Sequence, residues 1–223
     1  MNNTSYENYQ DSFDVYIVTR DRDELLFNAL MSLKEQTIGP KNINIFIVES
    51  APLKPSVIKK DEFKRYFKKF IFLKSECNIA ALGFHYLFKN FSQSKYSVKL
   101  DDDVILEKNY LEKAKDKFER NASCVACSCP VYYLTKQDEI WYSYGNFIEK
   151  ASFVIPRRNL TNKNVNNIVS CMLVIRSSTL NEIDGFSDTF FLYSDDTYLC
   201  YLLSKKGTIN LLVGSKGYHA IPY

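Results

Sequence analysis

Four short apolar runs, separated by helical or loop-like segments, constrain this chain more than any other feature. They are Asp14-Val-Tyr-Ile-Val-Thr19, Ile43-Asn-Ile-Phe-Ile-Val48, Phe70–Leu73 and Tyr96-Ser-Val-Lys-Leu100. Such continuous runs belong to parallel strands buried on both faces, whereas a half-exposed strand alternates apolar with polar. Between them, Leu25, Leu26, Ala29, Leu30 and Leu33 fall on one helical face, as do Ala80, Ala81, Phe84, Leu87, Phe88 and Phe91. The order β-α-β-α-β-α-β predicts an α/β fold with a mostly parallel central sheet, right-handed crossovers and helices on its flanks.

The punctuation agrees with this order. Asp21 and Glu24 have the spacing of a capping box, and Gly39-Pro40 closes the first unit. Beyond residue 104 the pattern predicts a helix over about 107–119 and strands near 123–128, 131–134, 168–175 and 209–213. An aromatic-rich stretch lies at 140–148 and an Asn-rich loop at 159–167. Asp195-Asp196 open a helix bearing Leu199, Leu202 and Leu203, with Lys205-Lys206-Gly207 as its Gly-capped end. Residues 1–12 are polar and read as flexible. No repeat or linker divides the rest, so 13–223 reads as one domain, with 13–104 and 105–223 as its halves.

Composition excludes several classes. Net charge is +3, with 29 basic and 26 acidic residues interleaved, unlike the basic face of a nucleic-acid binder. The N-terminus lacks a signal pattern and no stretch approaches a membrane span, so the chain reads as soluble and cytoplasmic. The basic and aromatic segment Phe63–Lys74 fits either an anionic membrane surface or, more simply, a third strand. Cys124-Val-Ala-Cys127-Ser-Cys129 has no second CxxC and no neighbouring histidine, and reads as a buried strand rather than a zinc site.

The fourth run ends in Asp101-Asp102-Asp103. Alternation along a strand directs Asp101 and Asp103 together and Asp102 away. At the carboxyl end of a strand, where open α/β sheets bind ligands, such a pair suits a hard divalent cation and phosphate oxygens. Taken alone, the triplet is equally a solvated turn, and Asp195-Asp196 equally a helix cap. Trp141 fits either core or a platform for a sugar ring. His85 reads as structural.

Together, Val18-Thr-Arg20, Val48-Glu-Ser50, Asn78-Ile-Ala-Ala-Leu-Gly83, Leu100-Asp-Asp-Asp-Val104, Asp184-Gly-Phe186 and Tyr193-Ser-Asp-Asp196 resemble the inverting GT-A glycosyltransferases of the family-2 type. That family includes bacterial rhamnosyl- and galactofuranosyl-transferases of surface polysaccharides. The resemblance runs from Asp14 to about His219 and implies a single GT-A, Rossmann-like domain. It implies that Thr19, Arg20, Glu49 and Asn78 meet the nucleotide of a nucleotide-diphosphate sugar, with Ala80 standing where the family has Gly. Asp101 and Asp103 match its DxD, the first beside the ribose or sugar and the second on Mn²⁺ or Mg²⁺. Asp196 aligns with the catalytic base, and His219 with an additional metal ligand. The implied acceptor is a glycan or lipid-linked sugar, with peripheral association at the inner face of the membrane as a corollary. A binding module without catalysis is the competing class. A sugar nucleotidyltransferase or a dinucleotide-binding dehydrogenase would require a Gly-rich loop after the first strand, and Val18-Thr-Arg-Asp-Arg-Asp23 has no glycine.

Overall fold

The four apolar runs pair side by side. The computed structural model describes residues 9–151, 153–161, 164–192 and 194–220. Residues 1–8 of the stretch read as flexible, and Tyr193 of the second acidic motif, lie outside them. In chain order come β1 (Gln10–Thr19), α1 (Asp23–Lys34), β2 (Ile43–Ser50), α2 (Lys60–Tyr66), β3 (Lys69–Ser75), α3 (Leu82–Phe91) and β4 (Ser94–Leu100). The strands are parallel in the order β3-β2-β1-β4. Register runs from Phe13 opposite Ile43 to Thr19 opposite Glu49, so both strands deliver their last residues to one sheet edge. All eight residues of β2 are buried, which is why its sequence shows no alternation.

The second half completes the sheet. It supplies β5 (Val104–Leu106), α4 (Tyr110–Arg120), β6 (Cys124–Ser128), β7 (Val131–Tyr133), β8 (Lys136–Tyr142), β9 (Tyr144–Ile148), β10 (Phe153–Arg157), β11 (Asn164–Val165), β12 (Met172–Arg176), α5 (Ser177–Glu182), α6 (Asp195–Ser204), β13 (Thr208–Leu211) and β14 (Gly217–His219). The eight-stranded sheet has the order β11-β13-β6-β12-β4-β1-β2-β3. Strand β12 runs antiparallel to both β4 and β6, and β13 is parallel to β6. Leu26, Leu30 and Leu33 of α1, Phe63 of α2 and Leu111, Ala114 and Phe118 of α4 cover one face. Phe84, Leu87 and Phe88 of α3, Leu180 of α5 and Leu199 and Leu203 of α6 cover the other. A smaller sheet, β5-β14-β7-β8, and the hairpin β9–β10 lie beside the main one.

Several expectations need correction. The first strand begins at Gln10, not after residue 12, because Gln10 pairs with Ser94 and the Ser12 hydroxyl meets that of Ser94 at 2.7 Å. The Asp21–Glu24 capping box does not form. The Asp21 carboxylate instead accepts the backbone N–H groups of Leu53 and Lys54, and Arg22 is the residue before α1. Asn78 does not open a helix; α3 starts at Leu82. The strand read as 168–175 is β12 alone. Gly207 is no left-handed cap, since its φ is not positive; its hydrogen is needed because a Cβ would lie 2.4 Å from the Ser123 carbonyl oxygen. The membrane alternative for residues 63–74 fails, because Phe63, Phe67 and Phe70 are buried against one another. The 124–129 cysteines lie in or beside β6 as buried free thiols, as expected of a core strand. His85 is structural, its Nδ1 meeting the carbonyl of Phe186. No helix among the described residues is long and apolar enough to cross a membrane.

Replacing Gly207 by Ala forces backbone apart where Thr208 N–H binds Ser123. A loss of about 1–3 kcal/mol is expected, read as a lower denaturant midpoint at unchanged slope.

Candidate active site

The carboxyl ends of β1 and β4 open into a cavity of about 670 Å³ whose lining includes Asp101, Asp102, Asp103, Asp195 and Asp196. The first three follow β4 directly. The Asp101 N–H donates to the carbonyl of Cys171, just before β12, which fixes where the chain leaves the strand. Asp101 and Asp103 converge as expected, but from a turn, because β4 ends at Leu100, and Asp102 lines the same cavity instead of pointing away. Asp102 is the most buried of the three. It accepts the Thr19 hydroxyl at 2.7 Å and Arg22 at 3.2 Å. Burial pushes the Asp102 carboxyl up to about 6, against the opposing pull of Thr19 and Arg22.

Asp103 and His219 are brought together by the small sheet. β14 pairs antiparallel with β5, so His219 stands opposite Val104, and the Ala220 N–H donates to the Asp103 carbonyl. His219 Nε2 then lies 3.1 Å from Asp103 Oδ1, and Arg22 reaches Asp103 Oδ2, also at 3.1 Å. One ligand atom from each of Asp101, Asp103 and His219 falls within 4.8 Å of the others. Asp103 Oδ1 is buried and makes no aligned hydrogen bond, even to the nearby imidazole. A buried oxygen without a donor, flanked by a carboxylate and a ring nitrogen, is what a divalent cation satisfies, so this donor set fits one. Burial alone would raise Asp103, but His219 and Arg22 outweigh it and hold its pKa low. Asp101 is raised by burial.

The second acidic pair arrives from the far end of the chain. Ser194, at φ +62, makes the left-handed turn that starts α6 and points its first residues into the cavity. Asp195 is tied to the buried Lys99, whose Nζ donates to it and to the Ser170 hydroxyl, both at 2.6 Å. Burial disfavours the Lys99 charge, but Asp101 and Asp195 overcome that and hold its pKa high. Asp196 accepts the N–H and hydroxyl of Thr197, partly the capping role its position allowed. No cation pairs with it among the described residues. Burial, then the charge of Asp195, raises its pKa.

A match to the glycosyl transferase family 2 profile extends over residues 14–183. The chain belongs to this family. The matched region ends before Asp195, Asp196 and His219, which the fold carries to the family-2 cavity. By structure the chain resembles TarS of S. aureus, with TM-score 0.71 at 14% identity over 94% of this chain and 37% of that one. It also resembles GalNAc-T7 crystallised with UDP, GalNAc and Mn2+, with TM-score 0.76 at 11% identity over 93% of this chain and 43% of that one. TarS 1-349 aligns at TM-score 0.66 and 12% identity, over 92% and 60%. At such identities the likeness is one of fold, and this chain spans less than two thirds of each. No curated protein matches by sequence. The fold is the α/β, GT-A type that the motifs imply.

The remaining residues singled out from the family-2 motifs separate into two groups. Thr19, Arg20 and Asn78 line the cavity. The Ser50 hydroxyl donates to Asn78 and accepts the Ile79 N–H, which shapes this wall. Ala80, in the family's Gly position, takes φ +38, a backbone conformation ordinarily left to glycine. Glu49 sits opposite Thr19 but is buried outside the lining, and burial raises its pKa. Trp141 proves to be a cavity residue, stacked on His219 with ring centroids 5.3 Å apart. Arg22, Lys99 and Ser194 were not singled out from sequence. Lys99 did leave a signal, a lone charge inside an apolar strand two residues before Asp101. Arg22 was hidden by its neighbours in a charged run.

Asp102 yields a signed prediction. Its unfolded pKa is near 4, so the folded chain binds that proton more tightly. Its contribution to stability falls as pH rises from about 4 to 6, by at most about 3 kcal/mol, and stays low above that. In metal-free buffer Asp102→Asn should therefore gain stability relative to the native chain between pH 4 and 7. Paired thermal melts across that range would show it.

Proposed function

We propose that this family-2 chain is a metal-dependent, inverting glycosyltransferase that moves a sugar from a nucleotide-diphosphate donor to a glycan or lipid-linked acceptor in surface polysaccharide synthesis. One observation carries the reading. Two acidic sets with different partners converge on one cavity, one built from the exit of β4 together with the end of β14, the other from the start of α6. One is Asp101, Asp103 and His219, and the other is Asp196, left without a cation while Asp195 is neutralised by Lys99.

Residues 13–104 would supply the donor side. Thr19, Arg20 and Asn78 line the wall given to the nucleotide, with Glu49 behind it and Arg20 half exposed and able to reach a phosphate. Asp101, Asp103 and His219 would hold Mn²⁺ or Mg²⁺, and the imidazole favours Mn²⁺ over the oxygen-seeking Mg²⁺. Such a cation, once bound, offsets the charge that gathers on the departing diphosphate. The Mn2+ and UDP present with GalNAc-T7 support this assignment by analogy of fold. On the other side Asp196 would take the proton from the acceptor hydroxyl, which must lie within about 3 Å of it. A single displacement at the anomeric carbon then inverts its configuration. The raised pKa of Asp196, caused by burial and the charge of Asp195, makes its carboxylate a stronger base than a solvated one.

Calorimetric titration of UDP, GDP and dTDP, each with and without Mn²⁺, separates the parts. One nucleotide is expected to bind only with metal, and Asp103→Ala is expected to abolish that binding. Asp196→Asn should leave binding within about threefold while lowering turnover by roughly 10²–10⁴. Binding that survives Asp103→Ala would remove the metal assignment. Turnover that survives Asp196→Asn would remove the base.

Acidity gives a second expectation. Because Asp196 works ionised and its pKa is raised, activity should be lost as pH falls through a midpoint above the ordinary aspartate value near 4. A kcat/KM profile with its acid limb at or below 4 would exclude Asp196 as that group.

A further inference from the structure

The β9–β10 hairpin stands apart from both larger sheets and carries a surface the chemistry above leaves unused. Ile148 and Phe153 are directly opposite each other in its ladder, at the end where the two strands join. Opposed residues share a face, and these two are 42% and 55% exposed. Lys150 in the connecting turn, and Arg157 and Arg158 at the other end of β10, are exposed. None of the three pairs with a carboxylate among the described residues, while the one local acid, Glu149, lies 3.8 Å from Lys205.

Charge is concentrated here in a way the net value conceals. Residues 143–167 contain four basic residues (Lys150, Arg157, Arg158 and Lys163) and one acidic. The whole chain has 29 against 26, so everything outside this segment balances at 25 against 25. The entire positive surplus of the sequence thus falls within residues 143–167, the segment that contains the hairpin.

The hairpin is also held firmly at its root. The Ser143 N–H donates to the Arg157 carbonyl and the Gly145 N–H to that of Asn167. The Asn166 side chain pairs with both backbone groups of Phe147, and Phe147 packs on Tyr201 of α6. Asn167 accepts the Tyr142 hydroxyl and contacts Thr197, the neighbour of Asp196.

We propose that this hairpin docks the protein on an anionic lipid bilayer, with Ile148 and Phe153 entering the headgroup region and Lys150, Arg157 and Arg158 meeting lipid phosphates. Exposed apolar side chains at the tip of a hairpin that carries unpaired cations in its turn and at its base suit such a surface, where buried apolar area and attraction to anionic lipid add together. Two apolar side chains at the tip are too few for a stable protein interface, which needs about 1,000 Å² or more. The root contacts would then turn the Asp196 side of the cavity toward the membrane, where a lipid-linked acceptor lies; that orientation, though not the docking, rests on the function proposed above.

Flotation of the full chain with vesicles tests the docking without any turnover. The chain is expected to float with phosphatidylcholine vesicles containing phosphatidylglycerol and to remain behind with phosphatidylcholine alone. Ile148→Ser with Phe153→Ser, and separately Arg157→Glu with Arg158→Glu, should each weaken partitioning about tenfold or more. Lys64→Glu with Lys68→Glu makes the same charge change near the far sheet edge, at β3, and should shift partitioning less than about twofold. Unchanged thermal melts establish that the variants, all at exposed positions, remain folded. Absence of flotation with anionic vesicles would overturn the proposal. So would an equal loss from the Lys64/Lys68 control, or retention on single-stranded RNA or an acidic polysaccharide without vesicle binding.

Discussion

Repulsion among carboxylates is the constraint this structure must satisfy. Five aspartates line one cavity, and two unit charges 4 Å apart at a protein surface interact by about 4 kcal/mol. Three cationic or polarisable groups make the crowd tolerable, each arriving from a different element. Arg22, just ahead of α1, bridges Asp102 and Asp103. Lys99, inside β4, holds Asp195. His219, at the end of β14, faces Asp103. Asp101 and Asp196 are left without a paired cation among the described residues.

The sheet is what makes this convergence possible. β1 and β4 are parallel neighbours, so Thr19 and Asp102, far apart in sequence, meet within hydrogen-bonding distance at a shared edge. Antiparallel β12 then lays the segment before it against the exit of β4, where Cys171 accepts from Asp101 and Ser170 accepts from Lys99. The small sheet does the same for the last residues, since β14 can pair with β5 only by drawing His219 over the acidic turn. Asp101, Asp103, Asp196 and His219 thus each lie in a strand or helix or one residue from one, which keeps their positions narrow.

Much of this was legible because burial leaves a periodic trace. The apolar runs beginning at Asp14, Ile43, Phe70 and Tyr96 became β1 to β4, and the spacing of Leu26, Leu30 and Leu33 became α1. The acid motifs were legible as chemistry, since Asp101 and Asp103 do come together with His219, although from a turn beyond β4 that strand alternation does not describe. What failed were inferences that depended on tertiary partners. The Asp21–Glu24 spacing fits a capping box, yet the loop after β2 competes for the Asp21 carboxylate and wins. Basic residues around Phe63, Phe67 and Phe70 resemble a membrane face only until α2 and β3 fold those rings inward. Lys99 looked like an interruption of a strand and is the counter-ion of the second acidic pair. Side-chain contacts across 80 or more residues write no local pattern, so Arg22 could not be found from its own neighbourhood.

The placement of β12 has a consequence for synthesis. Strand β4 has β1 on one side early, but its other edge stays unpaired until Arg176 has left the ribosome. At about 5–20 residues per second that interval lasts roughly 4 to 15 s. Throughout it an apolar, unpaired strand edge is open, the kind of template on which chains join to one another. Only pairing with the chain's second half, through β12, can close that edge.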